Sequence, residues 1–285
     1  MAKSRLNFGT LYTNGDSWTA GHFIAPKLKK KGVKDCNDKR NDSYRLKYAW
    51  PAFTAFRLGV NVVNGAHAGA SNDGIVRSTI NDINELLKTT PAKDIYAIIG
   101  WSSPERKDFF YKNEYGAWDT MYPAELHHWE DDENPVRNDF YKNYVVGYWN
   151  EEEYYTRHML HVITLANFFK AKNIKFKFFN AFYEPKNIVI DNKVGIMDYS
   201  SPLYNAIVEY FENDILKERA QCGGLLEEYC KIYKTRNIKK TFKQFLLNDC
   251  IKSGRTPHKV SKFLITHPTK LGHQKWGEYV ANILK

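Results

Sequence analysis

The sequence predicts an α/β fold, a three-layer α/β/α sandwich with a mainly parallel central sheet. Apolar, β-rich runs alternate along the chain with segments whose apolar residues recur at helical spacing. This alternation is typical of a parallel sheet covered by helices on both faces. A chain of 285 residues with 43% hydrophobic residues is long and apolar enough for a substantial core.

The elements are predicted from periodicity and from residues that start or stop them. Short β-branched or aromatic runs predict four strands, over residues 6–12, 60–64, 94–100 and 174–182, the second of them buried. Helical spacing predicts three helices, over residues 75–87, 154–170 and 273–284. Ser71 or Asn72 is the expected N-cap of the first of these helices, because both side chains can accept a bond from a free N–H group.

We expect a single domain over residues 1–285 with two helical insertions. Residues 111–150 are rich in tyrosine, tryptophan and acidic residues, and residues 201–260 are basic and mostly helical in pattern. Both fit the simple alternation poorly. Either insertion is a candidate lid or partner surface over the strand ends.

The amino-acid composition indicates which partners and which cellular compartment to expect. The net charge of +10 favours encounter with anionic partners, nucleic acid among them, although solvated lysine-rich faces explain it as well. No apolar run is long enough for a membrane span or a signal peptide, so we expect a cytoplasmic protein without a membrane partner. The four cysteines form no CxxC pair, which indicates buried or incidental free thiols.

Three loops that carry candidate functional residues follow predicted strands: NGDSWTAG, NGAHAGASND and GWSSPER. The carboxyl ends of parallel strands share one edge, where chemistry collects in such folds. Acyl transfer needs a nucleophile, a base and amide donors for an oxyanion. Ser17 on a sharp turn is the candidate nucleophile, the Gly69 N–H a candidate donor, and His267 in THPTKLGH the candidate base.

With these residues the chain resembles the SGNH, or GDSL-type, hydrolase superfamily, whose flavodoxin-like fold agrees with the predicted layers. NGDSWTAG, NGAHAGASND, IIGWSSPER and THPTKLGH stand in the order of the superfamily's four blocks, and the resemblance spans residues 6–110 and 174–285. It implies a cofactor-free hydrolase with Ser17 and His267 as catalytic residues and an oxyanion hole that includes Ser17 and Gly69. The segments IGWSSPER, ASND and HPTKLGHQKW resemble those of a bacteriophage-encoded branch of the superfamily, which would place the protein in the cytoplasm of a host cell.

Two positions depart from the superfamily pattern. Ser102 stands where the pattern has the oxyanion asparagine, so a hydroxyl, or Asn72 at the helix start, has to replace that donor. Leu264 stands where the pattern has the triad aspartate. A backbone carbonyl of Leu264 or Ile265 is therefore expected on His267 Nδ1, or a distant acid, because Asp16 is adjacent to the nucleophile and poorly placed for this role.

Each candidate residue has a structural alternative. Ser17 could be an N-cap serine, and His267 a structural histidine with His273 as the true base. Arg106 and Trp18 are candidate substrate contacts, with a surface ion pair as the alternative for Arg106. No metal site is predicted, although His127 and His128 lie beside acidic residues, because adjacent histidines rarely bind one metal together.

Three functions remain open from the sequence. The first is a serine-dependent esterase acting on small-molecule or polymer-linked esters through an acyl-enzyme. The second is an acyltransferase that passes the same acyl group to an alcohol or amine in a drier site. The third is a nucleic-acid-associated binding protein on a disabled hydrolase scaffold, favoured by the positive charge and the missing acid.

Overall fold

The computed structural model describes most of the predicted sandwich. The described residues are 7–24, 41–111, 117–121, 135–149, 151–182, 187–190, 193–196, 228–229, 231–232, 234–238, 240–243, 245–246 and 267–285. Within these ranges, no helix combines the length and apolar character needed to cross a membrane.

The strands and helices follow one another in the predicted alternation. The strands are β1 (Thr10–Asn14), β2 (Asn61–Asn64), β3 (Ile95–Trp101), β4 (Lys107–Tyr111), β5 (Ala117–Met121), β6 (Lys175–Asn180), β7 (Asn187–Ile190) and β8 (Lys193–Ile196). The helices are α1 (Ser17–Ala20), α2 (Asp42–Tyr48), α3 (Trp50–Leu58), α4 (Asn72–Leu86), α5 (Pro135–Gly147), α6 (Glu151–Ala171) and α7 (Lys270–Leu284).

Among the described residues, the central sheet has four strands in the order β2-β1-β3-β6, and every neighbouring pair is parallel. Its register pairs Asn14 with Ile99 and Trp101 with Asn180. The carboxyl ends of β1, β2 and β3 therefore meet at one edge, and the three loops singled out in the sequence leave from it.

Two apolar cores, one on each face, establish the three layers. Side chains of β3 alternate between them, because successive residues of a strand point to opposite faces: Ala97 and Ile99 enter one core and Ile98 the other. The first core is completed by α4 and α6, with Ile75 and Phe169 fully buried. The second core is completed by α3 and α7, which contribute the fully buried indoles of Trp50 and Trp276.

The predicted strands are confirmed with shifted ends, and one expectation is wrong. The first strand begins at Thr10 and extends to Asn14, so the asparagine that was assigned to the turn belongs to the sheet. The strand at 61–64 is not buried: Val62 and Val63 are 37% and 38% exposed. Within the described sheet it pairs with β1 alone, so it is an edge strand, and β-branched content did not distinguish an edge from a centre.

The predicted helices are also present, each beginning a few residues early. Ser71 is the N-cap of α4 and accepts the N–H of Gly74, which settles the choice between Ser71 and Asn72. Thr269 caps α7 in the same way. The helices α2 and α3, which lie between β1 and β2, were not predicted from the sequence.

Part of each predicted insertion is described. Residues 107–111 and 117–121 pair as the antiparallel β4–β5 hairpin outside the central sheet, and α5 follows along the chain. Between the two insertions, β7 pairs antiparallel with β8. Most of residues 201–260 lie outside the described residues, and the single-domain organisation stays a prediction.

Candidate active site

Ser17 lies on the sharp turn that the sequence predicted. The strand β1 ends at Asn14, and the short helix α1 begins at Ser17. The N-cap is Asp16, whose Oδ1 accepts the N–H of Trp18 at 3.0 Å, so the alternative of Ser17 as an N-cap is wrong. As the first residue of a helix, Ser17 has no intrahelical partner for its N–H.

Close packing of two glycines places this turn against the end of β3. A Cβ at Gly15 would lie 2.5 Å from Thr19 Oγ1 and 2.9 Å from the Gly100 carbonyl oxygen. A Cβ at Gly100 would lie 2.5 Å from Phe179 Cζ and 2.9 Å from Thr19 Oγ1. A side chain at either position would force these neighbours to shift, because real Cβ atoms do not approach other atoms so closely. The turn that presents Ser17 is therefore fixed by sterics.

His267 lies directly opposite Ser17, although the two residues are 250 positions apart in the chain. The distance from His267 Nε2 to Ser17 Oγ is 2.7 Å. His273 does not compete for this position: it is fully buried, and its Nδ1 accepts the backbone N–H of Trp50 at 3.2 Å. The geometry thus brings together the predicted nucleophile and the predicted base.

The surroundings of His267 favour its neutral form. Burial, the largest cause, and the nearby His22 and Arg106 together lower the pKa of its imidazole to about 4. Phe23 contributes to this burial, with its ring centroid 4.5 Å from that of His267. At pH 7 the ring is therefore neutral, which is the form that can accept a proton from a serine.

The group that orients His267 stays a prediction. Leu264 and Ile265, whose carbonyls were expected on Nδ1, lie outside the described residues. Asp16, the acid adjacent to the nucleophile, uses its two carboxylate oxygens for Trp18 N–H and Ser102 Oγ.

Gly69 lies in the loop that follows β2 and runs beside the nucleophile turn. The loop is tied to that turn by two backbone bonds, from Gly65 N to Thr13 O at 2.9 Å and from His67 N to Gly15 O at 3.2 Å. Gly69 itself has φ 77°, in the left-handed region that favours glycine. The loop therefore needs a glycine where the sequence predicted an oxyanion donor.

Ser102 and Asn72, the two candidates for the missing donor, are bonded to each other. The Ser102 N–H donates to Asn72 Oδ1 at 2.9 Å, and Asn72 Nδ2 donates to the Ser102 carbonyl at 3.2 Å. Asn72 Nδ2 also contacts Nδ1 of the buried His158 at 3.2 Å. Both amide hydrogens of Asn72 are thus engaged away from Ser17.

A largely buried cluster of Asp16, Ser102 and Arg106, which was not predicted from the sequence, lies next to Ser17. Ser102 Oγ donates to Asp16 Oδ2 at 3.1 Å and accepts from Arg106 Nη1 at 2.7 Å, and Arg106 Nη1 lies 3.6 Å from Asp16 Oδ2. Burial raises the pKa of Asp16, and the charge of Arg106 opposes that rise. The guanidinium is partly buried and its acidic partner is fully buried, so the surface ion pair considered from the sequence is wrong.

A second arginine holds the loop that carries Arg106. Arg157 on α6 donates to the carbonyls of Arg106 at 3.0 Å and Pro104 at 3.4 Å, and to Asp73 at 2.7 Å. Burial alone would raise the pKa of Asp73, but the hydrogen bond from His161 and the charge of Arg157 lower it overall. Asp73 is therefore ionised and anchors Arg157.

Trp18 is a core residue in this structure. Its side chain is only 4% exposed, and its ring packs edge-on against Phe182 and Phe242 at 5.0 and 5.4 Å. Phe182 in turn lies under the guanidinium of Arg106, 5.6 Å from its Cζ. The indole offers a substrate little surface and instead supports the floor of the site.

An open cleft of about 610 Å³ begins beside Gly69. It runs between the start of α4 and the β4–β5 hairpin, and its lining includes Gly69, Ala70, Arg77, Trp118 and Asp119. The lining mixes aromatic, charged and small residues, so the cleft is not a purely apolar channel.

No metal centre is found in the part of the chain that the structure describes, where no three or more metal-ligating side chains are grouped. His127 and His128 lie outside that part.

Several solved structures are similar to this chain at low identity. An acetyl xylan esterase, AlAXEase, is 8% identical with a TM-score of 0.45, over 97% of this chain and 100% of that one. A member of the lipolytic protein G-D-S-L family from Veillonella parvula DSM 2008 is 14% identical with a TM-score of 0.41, over 96% of each chain. Phospholipase A1 from Streptomyces albidoflavus NA297 is 12% identical with a TM-score of 0.39, over 97% of this chain and 98% of that one.

Sequence comparison gives a family without an assigned activity. No curated protein matches the sequence. A family model described as a family of unknown function, DUF6071, matches residues 33–199, which is more than half of the chain. The chain therefore belongs to the DUF6071 family.

Proposed function

We propose that this chain is a serine hydrolase of the SGNH type that cleaves esters through an acyl-enzyme on Ser17. The observation that carries the proposal is the 2.7 Å contact between Ser17 Oγ and His267 Nε2. A base must reach the proton it removes, and a distance of 2.6–3.2 Å is the usual range for such a contact. The lowered pKa of His267 supports the proposal further, because a neutral ring is needed at this position.

In the proposed reaction, Ser17 Oγ attacks the ester carbonyl carbon while His267 Nε2 accepts the hydroxyl proton. The N–H groups of Ser17 and Gly69 donate to the oxyanion. The tetrahedral intermediate then collapses, and the C–O bond to the alcohol breaks as His267 returns the proton to the leaving oxygen. Water repeats the sequence on the acyl-enzyme, with His267 again as base and then as acid.

The cleft beside Gly69 is the proposed site for the alcohol or acyl portion that extends beyond the reacting carbonyl. At about 610 Å³ it is in the size range of ligand sites, and its openness permits a small-molecule or a polymer-linked ester. The bacteriophage-like branch and the cytoplasmic location stay predictions.

The two other functions differ from this one in measurable ways. An acyltransferase shares the acyl-enzyme but prefers an added alcohol or amine over water. A nucleic-acid-binding protein on a disabled scaffold needs no activated serine, so the close contact of Ser17 with His267 favours an enzyme over a binder.

Labelling with a fluorophosphonate probe tests the proposal, because only an activated serine reacts with it. We expect labelling of the intact chain at Ser17, identified by mass spectrometry, and its loss in Ser17→Ala and His267→Ala. Ser43→Ala is the matched control, since Ser43 is an exposed serine on α2. Equal labelling of the intact chain and Ser17→Ala, or no labelling of either, would contradict a serine hydrolase.

A short activated ester then separates hydrolysis from transfer. With a nitrophenyl ester as substrate, we expect release of the free acid that is unchanged by added glycerol. Diversion of most acyl groups to glycerol would instead identify an acyltransferase.

A further inference from the structure

We propose that the guanidinium of Arg106 is the third donor to the oxyanion, in place of the asparagine side chain that position 102 lacks. This inference rests on the proposed function, since it assigns a role in the reaction at Ser17. The guanidinium would stabilise the negative charge that develops on the carbonyl oxygen.

The position of Arg106 carries the proposal, because its Nη1 lies close to all three loops that leave the ends of β1, β2 and β3. Nη1 lies 2.7 Å from Ser102 Oγ in the loop after β3 and 3.6 Å from Asp16 Oδ2, next to the nucleophile. It also lies 3.4 Å from the carbonyl oxygen of Ala70, the neighbour of Gly69. The cation is therefore surrounded by the immediate neighbours of both backbone donors.

The donor groups of the other candidates for this role, Ser102 and Asn72, are used in other hydrogen bonds. Ser102 donates its hydroxyl hydrogen to Asp16 and its N–H to Asn72. The amide hydrogens of Asn72 are directed at the Ser102 carbonyl and at His158. A guanidinium has five N–H donors and a permanent charge, so its contacts with Ser102 and Ala70 are compatible with a further bond to an oxyanion.

The surroundings make this charge effective. The side chain of Arg106 is 18% exposed, and hydrogen bonds to charged groups are stronger where water is excluded. Phe182 supports the guanidinium from one side, and Arg157 fixes the backbone of Arg106 through its carbonyl. The donor is thus held in place before the reaction, which is the condition for stabilising a transition state at little reorganisation cost.

The charge balance of the cluster is consistent with this role. Asp16 lies beyond normal hydrogen-bond distance of Nη1, at 3.6 Å, and divides its oxygens between Trp18 N–H and Ser102 Oγ. The guanidinium therefore forms no bidentate pair with Asp16. Such a pair would direct two of its N–H groups away from Ser17.

Steady-state kinetics of Arg106→Met on a nitrophenyl ester tests the proposal. Removal of one oxyanion donor typically lowers kcat by about 10²–10³-fold, and we expect a loss of that size with KM changed by less than about threefold. The matched control is Arg57→Met, since Arg57 is exposed and pairs only with Glu278 among the described contacts. Addition of guanidinium ion at millimolar concentration should restore part of kcat in Arg106→Met, which a purely structural loss would not allow.

Arg106→Lys keeps the inference testable if Arg106→Met does not fold. A lysine retains the charge but not the planar fork, so we expect a tenfold or larger loss of kcat with an unchanged KM. In whichever variant folds, kcat within about threefold of the intact chain would overturn the proposal. So would a rise in KM alone, since it would identify Arg106 as a clamp for an anionic substrate group. Failure of the proposed function itself looks different, because Ser17 would then be unreactive in the intact chain.

Discussion

The lowered pKa of His267 predicts that the proposed activity persists at mildly acidic pH. The described geometry places the pKa of this imidazole at about 4, against 6.5 for an ordinary histidine, because the ring is buried and lies near His22 and Arg106. Since the base must be neutral, kcat/KM should follow its deprotonated fraction as the pH is raised. At pH 5.5 a base with a pKa of about 4 is about 97% deprotonated, whereas one with an unperturbed pKa is about 9% deprotonated.

The assay is therefore the ratio of kcat/KM at pH 5.5 to that at pH 7.5, with a substrate that does not titrate in this range. We expect a ratio close to 1, with the acid limb of the full profile near pH 4. An unperturbed base gives a ratio of about 0.1. Near-ultraviolet circular dichroism at each pH ensures that only folded protein is compared.

A matched variant tests the cause of the shift. His22→Gln removes one of the two positive neighbours but leaves the ring buried, so the acid limb should rise while remaining below pH 6.5. A ratio near 0.1 in the intact chain would refute the inference that burial holds His267 neutral.

Two further predictions concern stability. Burial lowers the pKa of His158 and of His273 to about 3, so each stays neutral in the folded chain while it charges in the unfolded chain below pH 6.5. The stabilisation is complete above that pH and is lost as the pH falls. From pH 7 to pH 5 the free energy of unfolding, measured by urea titration, should drop by about 2 kcal/mol for each histidine. The total drop should be smaller in His158→Gln than in the intact chain. A drop of equal size in that variant would count against this cause. Gly100→Ala should lower the free energy of unfolding by about 1–3 kcal/mol, because its Cβ would lie 2.5 Å from Phe179 Cζ, whereas Gly9→Ala, which meets nothing within 4 Å, should be near neutral. Equal stabilities of the two alanine variants would show that the turn is not fixed by this packing.

Local signals predicted most of the sheet and its main helices. The helix α4 has both an apolar face and a capping serine within a few residues, so its sequence specifies its start. Strand ends were less accurate because they depend on partners: β1 continues to Asn14 since Ile99 of β3 pairs with it. The helix α3 was missed although Pro51 in its first turn and Gly59 after its last residue are ordinary helix signals.

In the candidate site, too, some residues could be predicted from local signals and others could not. Ser17 and Gly69 could be placed from sequence because each follows a strand of one parallel sheet, and such loops meet at its edge. The contact of Arg106 with Asp16 spans 90 positions and depends on side-chain conformations, so no local pattern predicts it. The signal that was available is an arginine four residues after Ser102, within reach of the position that an asparagine would fill.

Burial weakens proton transfer to His267 but strengthens stabilisation of the oxyanion in the proposed reaction. It is the largest of the causes that lower the pKa of His267 to about 4, which makes the imidazole a weaker base for the Ser17 proton. The same exclusion of water strengthens the attraction between a fixed cation and a developing oxyanion. A dry site with a weak base therefore depends more on charge stabilisation than a wet one does. In a Ser–His dyad this dependence increases, because a neutral acceptor on the imidazole stabilises the imidazolium less than a carboxylate does. Arg106 is the group whose charge can offset both losses, and its removal should therefore cost more in this chain than loss of a neutral amide donor costs in a site with a complete triad.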